Sequence, residues 1–117
     1  GFAAGELKHG PIALIEPGQP VFVIVPGPDT PHDLHAKVVS NIQEIRARGA
    51  RTLVVAQDGD DAVVPFADEV IRVPATPPLL QPLLTVVPLQ VFACELATAK
   101  GLDVDQPRNL AKSVTVE

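Results

Sequence analysis

Two short segments at opposite ends of this 117-residue chain carry residue types able to do chemistry. Near the start, Gly5-Glu-Leu-Lys-His-Gly-Pro11 sets a histidine and a lysine between two glycines. An imidazole titrates near neutrality and can take and return a proton, so His9 is a candidate acid–base group. Gly5 and Gly10 would let a ligand approach it closely. Near the end, Asp103-Val-Asp-Gln-Pro-Arg-Asn-Leu-Ala-Lys-Ser-Val-Thr-Val-Glu117 shows no helix or strand pattern before Ser113 and carries Lys112. As an ammonium, Lys112 would neutralise a developing oxyanion. As a neutral amine, it would attack a carbonyl to give an imine, and the sequence leaves both roles open. Read locally, His9 also fits the cap of a short helix. Lys112 equally fits an exposed lysine on a terminus that loses entropy by ordering.

Positioning such groups requires a scaffold, and the middle of the chain supplies its pattern. Val21-Phe-Val-Ile-Val25, bounded by Pro20 and Pro26, is a continuous β-branched and aromatic run that suits a strand buried on both faces. Thr52-Leu-Val-Val-Ala56 is a second such run and Val70-Ile-Arg-Val73 a third. Between the first two, Thr30 is expected to cap a helix with Pro31 at its first position. Leu34, Val38, Ile42 and Ile45 then form the apolar face, Arg46 and Arg48 suit the negative helix end, and Gly49 is the stop. Strand, helix, strand in this order is the signature of a parallel sheet with a crossover helix. Asp60 to Phe66 offers a short second crossover. Thr76 and Pro77 are expected to open a long helix that Lys100-Gly101 closes, with Pro82 and Pro88 kinking or breaking its first half.

The bulk composition narrows the class. A chain of this length supports one domain or part of one. Nine basic and fourteen acidic residues give a net charge of −5, and the basic residues are scattered, so no nucleic-acid partner is expected. A single cysteine, Cys94, cannot form an internal disulfide, and its neighbours Phe92, Ala93 and Leu96 suggest a buried thiol in a reducing, cytoplasmic setting. The run from Leu79 to Leu96 is apolar enough to raise a membrane question. Gln81, Thr85, Gln90, Glu95 and the two prolines instead favour a buried helix of a soluble domain, with no membrane partner. The chain contains no Met and starts without a leader pattern, so it reads as cut from a longer polypeptide.

The two terminal motifs together resemble the C-terminal end of the isomerising glutamine–fructose-6-phosphate aminotransferase family, and the resemblance runs over essentially all 117 residues. It implies the second of two sugar-isomerase (SIS) domains, an α/β fold of flavodoxin-like type. That fold is a three-layer α/β/α unit around a parallel sheet, incomplete here with three of five strands, followed by an irregular tail. Residues 1–102 would be the partial SIS domain and 103–117 a C-terminal catalytic tail. The missing first strand would lie beside Val21–Val25, leaving an edge of that strand unpaired. By the same resemblance, His9 acts in opening the sugar ring and is contributed across a homodimer interface to the neighbouring subunit's site. Lys112 contacts or activates the sugar carbonyl, and Ala111 presents its backbone carbonyl to the substrate. The family converts fructose 6-phosphate and glutamine to glucosamine 6-phosphate and glutamate without metal or organic cofactor. Its enolising carboxylate, its phosphate-gripping loop in the first SIS domain and its N-terminal glutaminase domain would all precede this chain. The chain alone is therefore expected not to turn over.

Other polar groups read as structural. Glu6 is expected to be a supporting carboxylate and not the enolising base. Pro26-Gly-Pro28 offers few backbone donors, because two of its three residues lack an N–H. Asp58, Asp60 and Glu69 match first, third and twelfth positions of a calcium loop, but Ala62 and Val63 stand where a ligand and a glycine are needed, which leaves a solvated turn. His32 and His35, near Asp29 and Asp33, have no convincing third donor, and no metal is assigned. Two readings from other classes stay open: a non-catalytic sugar-phosphate-binding module of a regulator, and an assembly piece whose free sheet edge and helices make a dimer.

Overall fold

The computed structural model describes residues 1–106 and 108 of the chain. Its centre is a three-stranded sheet of β1 (Pro20–Ile24), β2 (Arg51–Gln57) and β3 (Glu69–Val73), ordered β1-β2-β3 with both pairings parallel. Val23 stands opposite Val54, and Val55 opposite Ile71. The three apolar runs of the sequence are the three strands. Continuous hydrophobicity follows from helices on both faces, because neighbouring side chains of a strand point to opposite sides.

Helix α1 (Leu34–Arg46) covers one face. Its Val38, Ile42 and Ile45 pack into one cluster with Val23, Val25, Val54 and Ala56. Helix α2 (Gln81–Ala99) covers the other, where the rings of Phe22 and Phe92 meet with centroids 4.6 Å apart. A three-layer α/β/α arrangement is therefore present with three strands. The 3-10 segment Asp61–Phe66, which buries Val63, makes the second crossover beside α1.

A hydrogen-bonded corner closes that crossover. Thr52 is fully buried, and its N–H donates to the Oδ2 of Asp68 at 2.7 Å. Its hydroxyl lies 3.0 Å from both that carboxylate and the carbonyl of Phe66, close enough to donate to either. The N–H and hydroxyl of Thr52 stabilise the charged carboxylate and hold Asp68 below the ordinary aspartate value of 3.8, with Arg46 and Arg51 adding to the effect.

Both helix starts differ from expectation. α1 begins at Leu34 because His32 (φ 66°) and Asp33 (φ 54°) adopt left-handed backbone that no helix turn tolerates. Thr30 is not its cap; the first turn is instead held by Lys37, whose Nζ donates to the His32 carbonyl, and by His35. Leu34 is exposed, so the buried stripe is Val38, Ile42 and Ile45. The stop is as expected: Gly49 takes φ 84°, and an added Cβ there would sit 3.2 Å from the Cα of Pro17.

α2 begins at Gln81, after a turn in which the Leu80 N–H donates to the Pro77 carbonyl. It runs unbroken through Pro88. Pro82 falls in the first turn, where its missing N–H has no helical partner to lose. By length and composition α2 could cross a bilayer, yet its inward side lies on β2 and β3. The expectation of a buried helix is corrected: only Gln81 and Thr85 are buried, while Leu83, Val86, Val87, Val91 and Leu96 are exposed. The apolar run continues all round the helix, but among the described residues only the sheet side has a covering layer. Cys94 lies on the open side, so its thiol is exposed and not buried as expected.

Candidate functional site

His9 ends a 3-10 turn, Ala4–His9, that is followed through Gly10 by a second, Pro11–Leu14. Apolar residues fasten this pair: Ala4 and Leu7 pack against the core, and Ile12 is buried. His9 itself is exposed and has no hydrogen bond to another described residue, so its ring is free to meet a ligand or a neighbouring chain. It does not act as a cap within the described fold. Glu6, on the same turn, is also exposed, and its carboxylate supports no described neighbour. Ala111 and Lys112 lie outside the described residues.

The carboxyl ends of the strands bring together polar groups that the sequence did not pair. Gln81, buried at the start of α2, reaches across to the end of β1. Its Nε2 donates to the Val25 carbonyl at 3.1 Å, and its Oε1 accepts the N–H of Gly27 at 3.1 Å. Every donor of the Pro26-Gly27-Pro28 loop is thereby committed, since the prolines have none. The expected poverty of this loop as a phosphate cradle has a structural counterpart.

Beside it, the Nε2 of His35 lies 2.7 Å from the Oδ2 of Asp60. Arg72 grips the same loop: its Nη1 donates to the carbonyls of Asp60 at 2.7 Å and Gln57 at 3.1 Å, and its Nη2 to the Asp61 carboxylate at 3.2 Å. The solvated turn expected at Asp58–Glu69 is corrected at Asp60, which is buried, although Asp58 and Glu69 are exposed. No cluster of three or more metal-ligating side chains occurs among the described residues. His35 and Asp60 lie 25 positions apart and only the crossover through α1 joins them, so neither spacing nor composition could reveal the pair. Its arrangement, a carboxylate bound to one ring nitrogen with the side chains largely out of water, serves to lock α1 to β2.

The family model described as "SIS domain" matches residues 1–100. The isomerizing glutamine–fructose-6-phosphate aminotransferase of Leifsonia xyli subsp. xyli is 77% identical over the whole chain, and that of Streptomyces coelicolor is 74% identical. The chain spans 19% of the length of each of these curated relatives. Among solved structures, the C-terminal domain of glucosamine-fructose-6-phosphate aminotransferase from Francisella tularensis superposes with a TM-score of 0.78 at 34% identity. The match covers 90% of this chain and 29% of that one.

Proposed function

We propose, for a chain that belongs to the SIS-domain family, that it is the C-terminal part of the isomerase region of an amidotransferase acting on a phosphosugar. The reaction of the parent is conversion of fructose 6-phosphate and glutamine to glucosamine 6-phosphate and glutamate. One observation carries this reading: a protein named as an isomerizing glutamine–fructose-6-phosphate aminotransferase is 77% identical over all 117 residues of this chain.

In this reading residues 1–102 form the partial second SIS domain and 103–117 the catalytic tail. The exposed imidazole of His9 takes the proton of the anomeric hydroxyl and returns one to the ring oxygen as the carbon–oxygen bond breaks, which frees the carbonyl. It does so for the neighbouring subunit of a homodimer. An exposed histidine on an anchored turn suits delivery across an interface better than service to its own fold. Lys112 stabilises the oxyanion or forms an imine at that carbonyl, and Ala111 binds the sugar through its backbone carbonyl.

The proton shift between adjacent carbons needs a carboxylate from upstream of Gly1, and Glu6 does not supply it. The phosphate is gripped by the first SIS domain, since Pro26-Gly27-Pro28 after β1 has a single N–H and gives it to Gln81. Ammonia comes from an upstream glutaminase domain. Such an enzyme of sugar-phosphate metabolism works in the cytoplasm, where phosphorylated sugars are held.

The test is product analysis. The parent polypeptide supplied with fructose 6-phosphate and glutamine is expected to release glucosamine 6-phosphate and glutamate in equal amounts, and the 117-residue chain alone to release neither. A parent that binds the phosphosugar without producing either compound would overturn the reading.

A further inference from the structure

At the carboxyl ends of the strands, where open parallel sheets admit ligands, lies a recess of about 290 Å³ that the phosphosugar chemistry above does not use. Its wall includes Gly27, Asp29, Thr30, Gln57, Thr76 and Pro77. Gly27 opens it: a Cβ at that position would stand 2.8 Å from the Oε1 of Gln57, so any larger residue would push the amide out of place.

The chemistry of the wall selects the partner. Asp29 is its only charged side chain, and that charge is negative. The N–H of Gly27 is given to Gln81 and that of Thr30 to the Gly27 carbonyl, at 3.1 and 3.0 Å, while Pro26 and Pro28 have none. A phosphate or carboxylate would face the Asp29 carboxylate, the one charge in the wall, and be repelled by it. An uncharged compound with several hydroxyls would meet acceptors in Asp29 and Gln57, and donors in the Gln57 amide and the Thr76 hydroxyl. We propose that this recess is a second binding site, for an uncharged hydroxyl-rich ligand such as a free sugar or polyol. The ligand's hydroxyls bridge Asp29 to Thr76 and Gln57.

The site is independent of the proposed reaction, so its failure leaves that reading untouched. Backbone amide NMR titration of the full-length protein, read at the amides of this recess, tests it, with D-glucose and D-glucose 6-phosphate as probes. Saturable shifts at Gly27, Thr30, Gln57 and Thr76 are expected with glucose, and at least about tenfold weaker binding with the phosphate ester. Asp29→Asn, at an exposed position that keeps the fold, should weaken glucose by about tenfold, and Thr76→Val should weaken it too. The proposal is overturned by an absence of saturable shifts at these residues, by equal binding of the phosphate ester, or by unchanged binding in both variants.

Discussion

The Nε2 of His35 stands 2.7 Å from the Oδ2 of Asp60, joining the first turn of α1 to the loop after β2, with the aspartate side chain only 2% exposed. A carboxylate so placed has no water to replace a lost partner. Asp60→Ala is expected to cost about 3 kcal/mol, because the His35 ring nitrogen would lose its partner in a largely covered position, whereas Asp60→Asn keeps a polar partner and should cost less. Urea unfolding of the two variants against the parent sequence checks the order. Equal midpoints for all three would show that the pair contributes nothing.

Gln81 carries the corresponding join on the other face. Its amide satisfies both the Val25 carbonyl and the Gly27 N–H, so Gln81→Leu should cost about 2 kcal/mol despite its greater apolar area. Hydrogen exchange gives a sharper readout: protection of the Gly27 amide should fall in the variant, while that of the β2 amides changes only with global stability.

Asp68 predicts a pH dependence. The Thr52 donors lower its pKa in the folded state, so the unfolded chain binds protons more readily. The stability it contributes is therefore complete above the ordinary carboxylate range and is lost as pH falls through the folded value. The difference in urea midpoint between the parent sequence and Asp68→Asn should be largest above about pH 5 and shrink as pH falls below about 4. A difference that grows on acidification would contradict the assignment.

What could be read from the sequence follows the range of the forces involved. β1, β2, β3, the Val38–Ile42–Ile45 face and the Gly49 stop rest on local pattern, and all are present. The Thr30 cap failed because His32 and Asp33 turn left-handed and the tertiary bond from His35 to Asp60 fixes the first turn of α1, over a local preference worth about 1 kcal/mol. The exposure of α2 and Cys94 could not be read, since hydrophobicity reports what a surface tends to do and not what lies against it. Asp60 looked like a solvated turn residue because its partner is remote in sequence. His9 was legible as chemistry only through the motif around it, and its exposure, free of any capping bond, is the structural finding added here.

Lys112 separates two mechanisms in the parent polypeptide. Lys112→Arg keeps the positive charge and removes the imine-forming amine. Loss of activity by about a hundredfold or more, read as kcat, is expected if the amine bonds the carbonyl. Retained full activity would exclude an essential imine and leave charge stabilisation open to it.

The most direct measurement of all concerns His9→Ala in the full-length protein, comparing steady-state turnover of the ring-closed phosphosugar with its binding. Turnover should fall by about a hundredfold or more while affinity for the sugar phosphate changes little, as removal of an acid–base group requires. Unchanged turnover, or a loss confined to binding, would contradict a role for this imidazole in opening the ring.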